Sequence, residues 1–191
     1  MISVYEGLKP LFDGLEILKI PYAVVGSFAS SSWGQPRHTN DIDIVVAMGP
    51  VHIQPLIETF ETSYFLDPVE IEHTLESKDP YRAFQLIHKE TNFKFDMFVP
   101  PLDDFSYGVL KRAKKIELLP GVFARCETSE DAVIGKLRWF DLGHRKSDRQ
   151  WNDIVQVLEI RKGLMDEEYL RNWAQHFRLL DLLEKAMAEV T

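Results

Sequence analysis

Two short runs of strand-forming residues, Tyr22–Val25 and Asp41–Val46, constrain this chain more than any other feature. The first runs directly into Gly26-Ser27. The second reads Asp41-Ile42-Asp43-Ile44-Val45-Val46, an acid–aliphatic alternation. Residues i and i+2 of a strand share a face, so Asp41 and Asp43 point the same way. Carboxylates held side by side repel unless a cation lies between them. All-oxygen ligands at this spacing suit a hard cation such as Mg²⁺, which takes its remaining ligands from water and substrate phosphates.

Further elements follow from periodicity and turn signals. Val4, Leu8, Leu11, Leu15 and Leu18 recur at helical spacing, with Pro10 a candidate kink. A short helix is expected over 28–33, a loop over 34–40 and a helix over Ile53–Phe60. Segments 82–88 and 93–99 read as strands joined by Lys89-Glu90-Thr91-Asn92, an antiparallel hairpin. Pro120-Gly121 turns between strands at 115–119 and Val122–Cys126. From Thr128 onward the pattern is helical, with helices expected over 132–140, 149–160, 167–177 and 179–187, separated by Gly143 and Gly163. The expected fold is α/β (α+β): a mixed sheet flanked by helices over 1–126, with a helical region over 127–191 packed on that core.

Composition narrows the function classes. With 191 residues, 45% hydrophobic and 27% charged, the chain is globular rather than disordered. The net charge of −8 argues against coating a nucleic-acid duplex. Cys126 is the single cysteine, so no intrachain disulfide forms and the expected setting is reducing and cytoplasmic. Charges in the first 20 residues break any signal-peptide core, and no apolar run is long enough for a membrane span. The charge is uneven: residues 1–107 hold 7 basic and 16 acidic side chains, 108–191 hold 15 and 14. The basic stretch with Lys111, Arg112, Lys114 and Lys115 is expected to be a solvated face, its alternative use being contact with an RNA end or a polyphosphate.

Asp96 is the third acid of interest. Alternation over 93–98 puts Lys94, Asp96 and Phe98 on one face, and an aspartate in an apolar strand needs a partner. A cation shared with Asp41 and Asp43 would provide one. Gly26-Ser27, between a strand and a helix, permits a sharp turn and offers backbone N–H groups and a hydroxyl to a phosphate. The six histidines show no pair at helical metal-ligand spacing, Cys126 reads as core, and Trp33, Trp139, Trp151 and Trp173 read as core or interface residues.

Hydrophobic-Gly-Ser, a gap of 13 residues, then Asp-hydrophobic-Asp-hydrophobic resembles the signature of the DNA polymerase beta-like nucleotidyltransferase superfamily. Arg37-His38-Thr39-Asn40-Asp41-Ile42-Asp43 resembles the form found in its small members, and Asp96 matches the family's third carboxylate. Downstream, Ser129-Glu130-Asp131, Lys136-Leu137, Arg145, Ser147, Arg149, Trp151 and Asp153 resemble the C-terminal motif of the abortive-infection type nucleotidyltransferase toxins. The resemblance implies an Mg²⁺-dependent (or Mn²⁺-dependent) nucleotidyltransferase that moves an NMP from an NTP to a hydroxyl and releases pyrophosphate. It implies that Asp41, Asp43 and Asp96 bind metal and carry catalysis. Gly26 and Ser27 would cradle the triphosphate. Arg37 would contact phosphate or brace its loop, and Lys136 would offset triphosphate charge or stand on a helix surface. The acceptor is left as a tRNA end, a protein hydroxyl or a small molecule. The competing expectation is a non-catalytic nucleotide-binding protein or toxin–antitoxin partner of the same fold, with a protein partner or homo-oligomer possible in either case.

Overall fold

The computed structural model describes residues 5–33, 41–101 and 103–190. In chain order the elements are α1 (Tyr5–Ile17), β1 (Tyr22–Val25), α2 (Gly26–Trp33), β2 (Asp41–Val46), a 3-10 turn (Pro50–His52), α3 (Ile53–Phe60), β3 (Tyr64–Phe65) and α4 (Pro68–Glu76). They continue with β4 (Ala83–His88), β5 (Lys94–Phe98), α5 (Asp104–Arg112), β6 (Lys114–Leu119), β7 (Val122–Cys126), α6 (Ser129–Leu142), α7 (Asp148–Ile160), α8 (Glu167–His176) and α9 (Leu180–Ala188).

The seven strands form one mixed sheet in the order β3-β4-β5-β2-β1-β7-β6. The expected hairpin is β4–β5, antiparallel, with Asn92 at φ 54 in its turn, a conformation asparagine tolerates well. β5 runs parallel to β2, and β1 lies antiparallel to β2 and parallel to β7. β2 is thus central, and both its neighbours help form the site.

The alternation seen in sequence sorts the two faces. Ile42, Ile44, Val46, Phe95 and Met97 are fully buried and pack with Leu8, Leu11, Leu15, Leu56, Phe60 and Ile71 from α1, α3 and α4. The opposite face, with Val25, Val45 and Ala47, is covered by α5 to α9 through Val109, Val133, Leu137, Ile154, Leu170 and Leu183. The acids of β2 therefore face the C-terminal helices. At about 25 cal/mol per Å² of apolar area, two such layers supply the dominant favourable term in folding.

Most helices start at a side-chain cap. Asp67, Asp103, Thr128, Ser147 and Asp166 accept backbone N–H bonds at the starts of α4, α5, α6, α7 and α8. α1 runs through Pro10. The expectation of a solvated basic face at 111–115 holds for Lys111, Lys114 and Lys115 but not for Arg112. Arg112 turns inward, pairs with buried Asp131 and with the Tyr169 hydroxyl, and stacks on the Tyr169 ring. It ties α5 to α6 and α8. No helix among the described residues is long and apolar enough to cross a membrane.

Candidate active site

β2 and β5 pair in register, with Asp43 opposite Asp96 and Asp41 opposite Lys94. Parallel neighbours lie about 4.8 Å apart, so the three aspartates occupy adjacent positions on one face. Their carboxylates feel one another. Burial, then the charges of Asp41 and Asp96, raise the Asp43 carboxyl from 3.8 to about 6. Lys136 and the Ser27 backbone N–H oppose the rise.

Gly26 starts α2 two residues before the expected boundary and bends the chain from strand to helix at φ 68. A Cβ there would lie 2.2 Å from Asp43 Oδ2. Glycine is required both by the backbone and by the carboxylate pressed against it. The turn is held from both sides: Gly26 N–H donates to Glu127 Oε1 at 2.9 Å, and Ser27 N–H bonds the Asp43 carboxylate. Both N–H groups expected to receive a phosphate are engaged by carboxylates, so an incoming phosphate must displace one of them or come with a cation. Ser30 and Ser31 hydroxyls donate to the Ser27 carbonyl at 3.1 and 2.8 Å and tighten the first helical turn.

Sequence reasoning missed Glu127. It follows β7, is 4% exposed, and bridges both ends of α2, since its own carbonyl accepts Trp33 Nε1–H at 2.9 Å. Burial, with Asp131 and Asp43 nearby, pushes its carboxyl well above the usual carboxylate range, while Lys136 and the Gly26 N–H pull the other way. Glu127→Ala is expected to leave the Gly26 N–H without this acceptor and destabilise the fold by about 1–3 kcal/mol. Glu127→Gln keeps an acceptor and is expected to melt within a few degrees of the wild type. Calorimetry on both variants checks this, and equal losses would remove the hydrogen bond from the account.

Lys136 is 6% exposed and pairs with Asp153 at 2.8 Å, a contact between α6 and α7. The helix-surface alternative is therefore corrected: Lys136 sits in the wall of the site and stabilises the ionised forms of Asp43 and Glu127. Arg37 lies outside the described residues, as does the rest of the loop over 34–40. Among the described residues no three His, Cys, Asp or Glu side chains converge as a ready metal cage. The three-acid set is open as it stands, and Asp96 Oδ1 accepts a hydrogen bond from Gln85 Nε2 at 2.7 Å across the hairpin. The donor chemistry nevertheless fits a hard divalent cation, which uses one or two carboxylates plus substrate phosphates rather than an all-protein cage. The mutual repulsion at Asp43 is the sign of that fit.

A cavity of about 340 Å³ opens beside these residues, between the sheet and α5 and α6. Its polar end holds Gly26, Ser27, Asp43, Glu127 and Lys136; its other end holds Tyr81, Phe98, Phe105, Arg138 and Trp139. Trp139, expected as core or interface, is not core: it is 44% exposed at the cavity, 4.9 Å from the Tyr81 ring. It lies on α6 two residues past buried Leu137 and so turned away from it, and one turn past Lys136, with which it shares the side that lines the cavity.

The overall fold is shared with solved structures. The chain aligns with ANT(2″)-Ia in complex with adenylyl-2″-tobramycin at 14% identity and TM-score 0.58, over 92% of this chain and 96% of that one. The fold is that of the nucleotidyltransferases. An antigenic nucleotidyltransferase-like protein from Paracoccidioides brasiliensis aligns at 18% identity and TM-score 0.52, over 97% and 93% of the two chains. The lincosamide antibiotic adenylyltransferase LnuA, lincomycin-bound, aligns at 17% identity and TM-score 0.51, over 83% and 98%. No family model and no curated protein matches the sequence. The nucleotidyltransferase fold thus extends over the C-terminal helices as well as the sheet, at a sequence distance where individual residues are not matched by identity.

Proposed function

We propose that this protein is a divalent-metal-dependent nucleotidyltransferase that moves an NMP from an NTP to the hydroxyl of an acceptor and releases pyrophosphate. The observation that carries the reading is the placement of Asp41, Asp43 and Asp96 on one face, with Asp43 pressed against the Gly26-Ser27 turn. Asp41, Asp43 and Asp96 are the residues that would hold Mg²⁺ or Mn²⁺, which when bound neutralises the triphosphate and the acceptor oxygen. Ser27 and the start of α2 orient the phosphates, and Lys136 adds positive charge to the wall. Asp96 accepts the acceptor's hydroxyl proton as that oxygen bonds the α-phosphorus in line. The α–β phosphoanhydride bond breaks and pyrophosphate leaves with its electron pair. Positioning and charge stabilisation are the chain's main contributions.

The acceptor is proposed to be a small molecule. ANT(2″)-Ia is seen with an adenylylated antibiotic and LnuA with lincomycin. Of the exposed lysines in the basic stretch, Lys114 and Lys115 lie on β6 at the far edge of the sheet, with β7 and β1 between them and β2, which leaves Lys111 alone on α5. Buried, unpaired Cys126 fits a reducing, cytoplasmic setting.

An NTP with Mg²⁺ is expected to raise the melting temperature by several degrees at saturating concentration. A ligand at about 100 times its Kd adds about 2.7 kcal/mol to the folded state. Differential scanning fluorimetry with each NTP, with and without Mg²⁺ or Mn²⁺, checks this. The absence of a shift with any pair at millimolar concentration counts against nucleotide binding. Incubation with labelled NTP and candidate acceptors then tests transfer.

A further inference from the structure

The cavity beside the acids changes character in one step along the sheet. Asp43 and Asp96 are paired neighbours on β2 and β5, and the next residues on the same face are Val45 and Phe98, also paired. From there the wall is aromatic. Tyr81 and Trp139 stand 4.9 Å apart, and Phe98 lies 6.3 Å from Trp139 in an edge-on arrangement. Pro80, Pro100 and Pro101 complete this end and bring no N–H donors. One cation is set into it. Arg138 lies with its guanidinium 4.2 Å over the Phe177 ring and 5.5 Å from Phe105, and among the described residues it makes no ion pair. The other lining charges are committed: Lys136 to Asp153, Asp43 to the Ser27 N–H, Glu127 to Gly26, and Asp103 to the backbone of α5.

Resting on the nucleotidyltransferase reading above, we propose that this end of the cavity is the acceptor subsite, and that its acceptor is a small planar, hydroxyl-bearing molecule carrying an anionic group. The wall faces the acceptor because it continues the strand that carries Asp96, the proton-accepting acid, whereas the triphosphate belongs at Gly26-Ser27. Stacking on Tyr81 and Trp139 recognises a flat face. The ring-held guanidinium offers a preorganised fork to a carboxylate or sulfonate. The whole cavity, polar end included, is about 340 Å³, so its aromatic end has room for a small molecule only. At this end Arg138 disfavours a cationic group, and among the described residues the wall offers no line of unpaired cations for an RNA strand.

The test uses the intact protein and 8-anilinonaphthalene-1-sulfonate, an anion with a flat naphthalene face that fluoresces when bound. One saturable site is expected, retained in the presence of Mg²⁺ and ATP. It is expected to weaken about tenfold or more in Trp139→Ala and in Arg138→Met, each of which still melts cooperatively and keeps its ATP-dependent rise in melting temperature. Kanamycin and a single-stranded RNA oligonucleotide are expected not to displace the dye. Displacement by Mg²⁺ and ATP would assign the wall to the nucleobase and overturn the proposal while leaving nucleotidyl transfer standing. Displacement by the RNA, or dye binding that is absent or indifferent to both substitutions, would overturn it as well. If ATP itself gives no shift in the wild type, the nucleotidyltransferase reading falls and takes the acceptor assignment with it.

Discussion

Asp43→Asn is expected to abolish nucleotidyl transfer and, in metal-free buffer at neutral pH, to make the protein more stable. The activity loss follows from charge. Asparagine keeps the volume and one carbonyl oxygen but cannot hold a divalent cation as a carboxylate does, and losing a group that stabilises the transition state costs about a hundredfold or more. The stability gain follows from the raised carboxyl. The folded-state value is about 6 against 3.8, so between these limits the native protein keeps a proton that the unfolded chain has lost. Wild-type stability is therefore highest below pH 3.8 as far as this group is concerned, and falls as pH rises through about 6. Above that the ionised group costs the fold about 1–3 kcal/mol, which asparagine removes. Its carbonyl can still accept the Ser27 N–H. Denaturant titrations of both proteins from pH 4 to 8 in a chelating buffer check the sign: the variant should gain over the wild type only toward the upper end. A variant that unfolds would make Asp43 a structural acid, and one with full activity would remove it from the reaction.

The same residues explain how far the sequence could be read. The acid face was legible because strand alternation is strict: Ile42, Ile44, Phe95 and Met97 must be buried together, which sends Asp41, Asp43 and Asp96 to the other side. The β4–β5 hairpin was legible from its turn chemistry. The α4 helix was not, because only Ile71 and Thr74 of Pro68–Glu76 are buried, too few to print a period, and its one local signal is the Asp67 cap with Pro68 behind it. The two-residue β3 is too short to alternate. Glu127 escaped for a different reason. Its role is set by a hydrogen bond spanning 101 positions, and a single glutamate after a strand carries no pattern of its own. The aromatic end of the cavity is likewise assembled from Pro80 and Tyr81, from Phe98, Pro100, Pro101 and Phe105, and from Arg138 and Trp139, three groups that no spacing rule connects.

Gly26→Ala is expected to be among the most damaging single substitutions in the chain, for two separable reasons. At φ 68 an alanine sits in the left-handed region, at a cost of about 1–2 kcal/mol. Its Cβ would also stand 2.2 Å from Asp43 Oδ2 and 3.0 Å from Asp43 Cγ, so the aspartate must swing away, surrendering the Ser27 N–H, or α2 must shift, surrendering the Glu127 bond. Overpacking of this kind adds about 1–3 kcal/mol. Because displacement of a reacting group by about 1 Å can cost a hundredfold, transfer should fall at least that far even in the fraction that remains folded. The double variant Gly26→Ala/Asp43→Ala separates the terms. With the carboxylate gone the crowding part disappears, and the variant should recover stability relative to Gly26→Ala alone while retaining the backbone penalty and no activity. The coupling between the two sites should be of the order of 1 kcal/mol or more, as for residues in direct contact. Strict additivity of the two substitutions, or a Gly26→Ala protein that melts and turns over like the wild type, would mean that Asp43 does not rest against this turn, and the geometry on which the catalytic reading depends would have to be abandoned.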